Sequence, residues 1–202
     1  MASSRDTILS KIRSALPQSS PLPDLAAVTS WQTFAEPIEQ FTAILKLVGG
    51  LAMHVGNLAE ADAHLRTQTH WSGGKNRCSI VAGVGDSTVN LDGIDDPHEL
   101  EKLDFAVLKG HFGVAENAAV WVTDDTVRHR VLYFIPQHLA IVVPASRVLN
   151  NRHEAYSQMT VGQHAFAGFI SRPSKTGDIE QSLVIGAHGA RSLIVYLVDD
   201  MR

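Results

Sequence analysis

Short apolar segments alternate along this chain with segments whose apolar residues recur at helical spacing, and this alternation is the feature that most constrains the fold. Strands are predicted at 51–55, 78–83, 105–108, 139–143 and 192–198. Helices are predicted at 31–48, 57–70, 145–159 and 178–186. Further β-rich segments at 113–122 and 131–134 suggest a sheet that is not purely parallel. The prediction is an α/β fold with a layered mixed sheet flanked by helices.

The first 30 residues differ in character from the rest. Residues 4–16 predict a short amphipathic helix, with Ser4 or Asp6 as its cap, and Pro17 ends it. The stretch 17–29 is rich in proline and serine, which is typical of a linker. A chain of 202 residues fits one domain with an appendage. We therefore expect an N-terminal helix and Pro-rich arm at 1–30 and an α/β domain at 31–202.

Composition argues against several classes of protein. The formal net charge is −4 and no segment concentrates Lys and Arg, so nucleic acid is not an expected partner. No segment has the ~20 consecutive apolar residues of a membrane span, and we expect a cytoplasmic protein. Cys78 is the only cysteine, so this chain alone forms no disulfide and holds no four-cysteine iron–sulfur cluster. The histidines lack metal-site spacing, and no metal is expected.

A polar loop near the C-terminus has the strongest chemical character. It follows the apolar run 165–170 and contains hydroxyls and a lysine, and a helix is predicted to begin at Asp178. Backbone N–H groups in the first turn of a helix favour negative charge. Ser171, Ser174, Lys175 and Thr176 are therefore predicted to bind a small anionic ligand at the carboxyl edge of the sheet. The alternative is that Thr176 or Asp178 merely caps the helix.

Three further residues are candidate polar or acid–base partners of that ligand: Glu116, Asp178 and His188. Glu116 lies in an apolar β segment, where a carboxylate needs a partner such as Lys175 or a ligand hydroxyl, or else faces water at a strand end. His188 stands between small flexible residues, as a proton donor or as a cap on terminal carbonyls.

These segments resemble motifs of the LUD-domain family, and the chain is similar to its stand-alone LutC-like members. Residues 171–180 and 186–191 resemble the C-terminal signature, which runs approximately Gly-Pro-Ser-x-Thr-Ala-Asp-Ile-Glu and then Gly-x-His-Gly-Pro. Residues 113–120 resemble the second motif, often Ala-Glu-Thr-Gly-Thr. Two departures are Asn117-Ala118-Ala119 in place of Thr-Gly-Thr, and Ala190 in place of proline.

The resemblance implies a fold like that of the phosphosugar isomerases and CoA transferases (NagB/RpiA-like), a group that includes formyltetrahydrofolate cyclo-ligase. It also implies a non-autonomous subunit that oxidises L-lactate to pyruvate together with LutA-like and LutB-like partners, which would carry the iron–sulfur clusters. Homo-oligomerisation stays open. The alternatives are an independent acyl- or phosphoryl-handling enzyme or cofactor-binding module, and a scaffold with a vestigial pocket.

Overall fold

The computed structural model describes residues 3–16, 20–21, 30–160, 162–177 and 183–201. Internal contacts divide the chain into two units, residues 1–31 and residues 32–202. The first unit contains α1 (Ser4–Ala15). Its cap is Ser3, not the predicted Ser4 or Asp6, because the Ser3 hydroxyl accepts the Asp6 N–H while the Asp6 carboxylate accepts the Ser3 N–H. Most of the predicted linker, 17–29, lies outside the described residues.

The second unit is built from four helices and eleven strands within the described part of the chain. The helices are α2 (Pro37–Leu47), α3 (Leu58–Thr67), α4 (Thr69–Ser72) and α5 (Arg152–Gln158). The strands are β1 (Leu51–Val55), β2 (Arg77–Ser79), β3 (Phe105–Lys109), β4 (Phe112–Val114), β5 (Ala119–Thr123), β6 (His138–Pro144), β7 (Val148–Leu149), β8 (Ala167–Ile170), β9 (Lys175–Gly177), β10 (Leu183–Ile185) and β11 (Ser192–Val198).

The central sheet has five parallel strands in the order β1-β11-β6-β3-β2. Its middle strands are buried on both faces, which explains why 139–143 and 193–198 are almost continuously apolar. Leu139, Ile141, Leu193 and Val195 point into one half of the core, where α2 contributes Phe41. The alternate residues point into the other half, which α3 and α4 cover.

The predicted antiparallel pairs form a separate sheet in the order β7-β4-β5-β8. β5 runs antiparallel to both β4 and β8, whereas β7 runs parallel to β4. The expected strand 113–122 is therefore a hairpin, with Asn117 and Ala118 in its turn. Ala118 has φ 53° in the left-handed region, at the position of the glycine in the motif that residues 113–120 resemble. The layered α/β class with flanking helices is confirmed.

Three further predicted segments differ from the structure because tertiary pairing and caps override local pattern. The helix expected from residue 31 begins only at Pro37, which disfavours helix in the residue before it. The β segment expected at 131–134 is a short 3₁₀ helix, Arg130–Tyr133, with Phe134 as its C-cap. The helix expected at 145–159 is limited to α5, capped by Asn151, because Val148 and Leu149 pair with β4.

The helix expected at 178–186 was wrong for the residues that the structure describes there. Residues 183–185 form β10, which pairs antiparallel with β9, so that Leu183 faces Gly177 and Ile185 faces Lys175. Three consecutive apolar residues do not lie on one face of a helix, so they would not form a single buried surface. Pairing of β10 with β9 instead satisfies the backbone hydrogen bonds of both strands. All three of these side chains are exposed. The predicted first turn of the helix, 178–182, lies outside the described residues, so no described helix supports the helix-terminus argument for anion binding.

Candidate anion-binding cleft

The polar loop forms one wall of a cleft of about 330 Å³. Residues 169–175 and residues 188–190 both line it. Its floor includes Leu139 and Leu193, which are the second residues of β6 and β11. The cleft therefore lies at the amino ends of these parallel strands, and the expectation of a site at the carboxyl edge was wrong. The reason is that the loop precedes β11 and does not follow a strand of the central sheet.

Ser174 joins the two halves of the C-terminal motif. Its backbone N–H donates to the Ala190 carbonyl at 2.8 Å, and its carbonyl accepts the Gly186 N–H at 3.0 Å. Its hydroxyl accepts the His188 N–H at 3.3 Å. A Cβ on Gly189 would lie 3.4 Å from the Ser174 Cβ, so the two segments are in close contact. The spacing of the motif thus brings 171–175 and 186–190 together as adjacent segments beside the cleft.

Lys175 is the first residue of β9, and its partly buried side chain lines the cleft. A Cβ built on Gly49 would lie 2.7 Å from Lys175 Nζ. Gly49 has φ +91°, so a glycine there allows the turn after α2. The absence of a side chain at Gly49 also leaves room for the lysine. Among the described residues no carboxylate lies within ion-pair distance of Lys175, which leaves its charge available to a ligand.

The other predicted ligand residues divide into three groups. Ser171 and His188 line the same cleft as Lys175, Ser171 partly buried and His188 exposed. Thr176 is partly buried on β9 and is not among the lining residues. Asp178 lies outside the described residues, so the structure places no role on it.

Glu116 lies outside the cleft, in the turn between β4 and β5 and close to the first residue of α5. Its carboxylate accepts the Arg152 backbone N–H at 3.0 Å and lies 3.5 Å from the Arg152 guanidinium. The partner of this carboxylate is therefore Arg152, and not Lys175, which was one of the alternatives left open by the sequence. A carboxylate at the N-terminal end of a helix is a stabilising arrangement, which explains the residue in structural terms.

Several lining residues were not among the candidates from the sequence. The aromatic side chains Tyr133, Phe134 and Phe169 form part of the wall, and Arg172 adds a second cation. The Tyr133 hydroxyl donates to the Thr123 carbonyl at 3.0 Å, and burial raises the pKa of this phenol. No local pattern marks the aromatic residues, because they come from segments far apart in the chain.

The charge of the described lining is one-sided. Lys175 and Arg172 are cations, Ser171 and Ser174 offer hydroxyls, and no lining residue in the described ranges is acidic. Apolar and aromatic surface forms the remainder of the wall. Such a mixture of apolar wall and few convergent polar groups is typical of a small-molecule site. The arrangement suits a small anion with an apolar part.

Cys78 and the metal-ligating residue types stand apart from this chemistry. Cys78 is fully buried, and burial raises the pKa of its thiol to about 12, so it carries no thiolate near neutral pH. Across the residues placed by the structure, no group of three or more His, Cys, Asp or Glu side chains is arranged to hold a metal ion. No described helix has the length and apolar character needed to cross a bilayer.

Fold and cleft together define the class: an α/β domain with a parallel central sheet, a second small sheet and a basic cleft of small-molecule size. Comparison with a solved structure agrees with the fold. A DUF162 family protein from Deinococcus radiodurans superimposes with a TM-score of 0.60 at 16% identity, over 81% of this chain and 97% of that one.

Sequence comparison assigns the family. The LUD domain model matches residues 50–198, which is more than half of the chain. The chain therefore belongs to the LUD-domain family. The match includes β1 to β11 and both motifs.

Curated relatives carry one recurrent name. Lactate utilization protein C of Bacillus pumilus is 28% identical over 106 residues, which cover 50% of this chain and 44% of the relative. Lactate utilization protein C of Geobacillus thermodenitrificans is 26% identical over 123 residues, which cover 58% and 50%. The matched region spans about half the length of these relatives. The chain is thus a LutC-like member of the family.

Proposed function

We propose that this chain is a non-autonomous subunit of a lactate-utilisation system that oxidises L-lactate to pyruvate together with LutA-like and LutB-like iron–sulfur proteins. The chain binds a small anionic ligand in the cleft lined by 169–175 and 188–190. One observation carries the proposal: the motif lysine, Lys175, lines a small cleft and has no described carboxylate partner. The names of the relatives support the process, and the cleft supports the class of ligand.

Different lining residues contact different parts of the proposed ligand. Lys175 and Arg172 compensate a carboxylate, and the Ser171 hydroxyl hydrogen-bonds one of its oxygens. The apolar wall accommodates a short carbon skeleton. Oxidation of lactate to pyruvate removes two electrons and two protons, and the iron–sulfur partners would accept the electrons. His188, an exposed residue of the cleft lining, would accept one proton, and the other would pass to solvent. Glu116 is not part of this proposal, because Arg152 engages it.

The ligand half of the proposal is tested by thermal unfolding with L-lactate, pyruvate or inorganic phosphate. A ligand at a hundred times its dissociation constant stabilises a folded protein by about 2.7 kcal/mol. Lys175→Met is expected to abolish the shift in Tm, because it removes the cation that the anion contacts. The matched control is Lys102→Met, since Lys102 is 82% exposed outside the cleft. An undiminished shift in the Lys175 variant would refute the site.

The subunit half is tested by reconstitution with the two iron–sulfur proteins. We expect the chain to copurify with them, and lactate-dependent reduction of an electron acceptor to require all three proteins. Lys175→Met should then lower the rate without releasing the chain from the complex. Turnover of lactate, an acyl compound or a phosphoryl compound by the chain alone would instead favour the independent enzyme. Full activity of the partners without this chain would remove it from the reaction.

A further inference from the structure

A second cleft, of about 280 Å³, lies beyond the same 186–191 turn. Its polar lining consists of Thr69, His70, Asp104, Gln137, His138 and Arg191. His138 and Ser192 are the first residues of β6 and β11, and their side chains alternate with those of Leu139 and Leu193. The second cleft therefore lies on the opposite face of the central sheet from the first, and the two share only the turn.

Two histidines stack in this cleft. The His70 and His138 rings lie 3.8 Å apart between centroids, with planes inclined by only 11°. His138 Nδ1 lies 2.8 Å from the Ser192 hydroxyl, which orients that ring. His70 comes from α4 and is exposed, so the pair is open to solvent on one side. Two imidazolium ions at such a distance would repel each other, so the stacked arrangement disfavours a pair that carries two positive charges.

Arg191 adds a third basic group. A Cβ on Gly186 would lie 2.3 Å from Arg191 Cγ, so the glycine, with φ +84°, makes room for the arginine stem. Among the described residues the guanidinium has no hydrogen-bond or ion-pair partner. Gly186 thus contributes to the position of Arg191 at the cleft, and the charge stays available to a ligand.

The remaining charged group facing His138 is Asp104. Both the Lys75 and the Asn76 backbone N–H groups donate to one Asp104 carboxylate oxygen, at 2.8 and 2.9 Å. Burial lowers the pKa of His138, His70 and Arg191 lower it further, and only Asp104 opposes them. The cleft therefore contains more basic groups than its single carboxylate balances.

We propose that this second cleft is an oxyanion-binding site that takes up a proton when it is occupied. Arg191 contacts the anion with its planar fork, and His70 and His138 lie beside it. An anion between these groups offsets the repulsion between their positive charges, so the histidine pair gains a proton as the anion binds. Binding should therefore strengthen as the pH falls through the range in which histidine titrates, near pH 6.5.

The test is isothermal titration calorimetry on the full chain with two probes, sulfate and pyruvate. Both probes keep a constant charge between about pH 6 and about pH 8, so a change in affinity reports protein groups. We expect the affinity for at least one probe to rise roughly tenfold over that interval, which corresponds to an average uptake of about half a proton. Repeating the titration in buffers of different ionisation enthalpy measures this uptake directly. A preference for sulfate indicates a phosphate-like ligand, and a preference for pyruvate indicates a carboxylate.

Variants assign the effect to these residues. Arg191→Met should weaken binding at least tenfold, and His70→Gln should remove the pH dependence while binding persists. Because both side chains are exposed, the fold should survive, and this is checked by the Tm of each variant. The matched controls are Arg147→Met and His98→Gln, at exposed positions outside the cleft.

Two results would overturn the proposal. One is affinity that does not change with pH, or no binding of either probe to the unaltered chain. The other is loss of the same binding in Lys175→Met with none in Arg191→Met, because that would assign the anion to the first cleft. Retention of pH-dependent binding in Lys175→Met supports two separate sites, whatever the fate of the proposed lactate function.

Discussion

Replacing Gly110 by alanine should destabilise the protein, because the new methyl group has no room. A Cβ at Gly110 would lie 2.4 Å from Val120 Cγ1 and 3.0 Å from the Cγ2 atoms of Ile141 and Val143. Gly110 follows β3 where the chain passes to β4, and its N–H donates to the Val142 carbonyl at 2.9 Å. These neighbours are buried β-sheet residues, so none can move aside freely.

Overpacking of this kind costs about 1–3 kcal/mol of the free energy of unfolding. The shortest contact falls far inside van der Waals distance, which places the expected cost near the upper end of that range. Equilibrium unfolding in urea measures it. With a slope of about 2 kcal/mol per molar urea, the midpoint should fall by about 1 M while the slope stays constant.

A double-mutant cycle isolates the clash. Val120→Ala alone removes buried methyl groups and costs about 1–2 kcal/mol. Combined with Gly110→Ala it should cost at least about 1 kcal/mol less than the sum of the single changes, since it removes the closest atom. The control is Gly177→Ala, whose Cβ would meet nothing within 4 Å. Additive costs, or a neutral Gly110→Ala, would refute the packing argument.

Two further predictions concern titratable groups. The hydrogen bond from the Thr123 hydroxyl, and then the charge of His111, lower the pKa of the Asp125 carboxyl. The ionised carboxyl therefore stabilises the fold above its unfolded pKa near 4, and this stabilisation is lost as the pH falls through the folded pKa. Asp125→Asn should therefore be less stable than the unaltered chain at about pH 7, and the gap in urea midpoints should close below about pH 4; a gap independent of pH would contradict this. Buried Cys78 should react with a thiol reagent at about pH 8 only as fast as the chain unfolds, and rapid labelling of the native protein would show that its burial is wrong.

The sequence predicted the elements whose own residues stabilise them. β6 and β11 are apolar runs long enough to bury themselves on both faces. α3 begins at the predicted cap, and the Asn57 side chain accepts the Glu60 N–H. Elements that depend on a distant partner were not predictable, because β7 is a strand only through its pairing with β4. The same holds for β10, whose partner is β9.

The residues of the candidate site were likewise predictable only in part. The motif spacing brought Ser171, Ser174, Lys175 and His188 into consideration, and these four residues line one cleft. The aromatic wall and the separation of Glu116 from that cleft required the coordinates. The stacked pair of His70 and His138 likewise joins residues 68 positions apart in the chain, and no local spacing signals it.

The sequence by itself determined the α/β class, the buried strands of the central sheet and the membership implied by the motifs around Lys175. Each of these follows from contiguous residues, through hydrophobic periodicity, capping and the local order of the polar loop. Only the tertiary structure decided that the loop leads into a hairpin and that its cleft lies at the amino ends of β6 and β11. Those outcomes depend on hydrogen bonds and packing between segments that are remote along the chain. The local sequence of one segment does not determine which distant segment it will pair with.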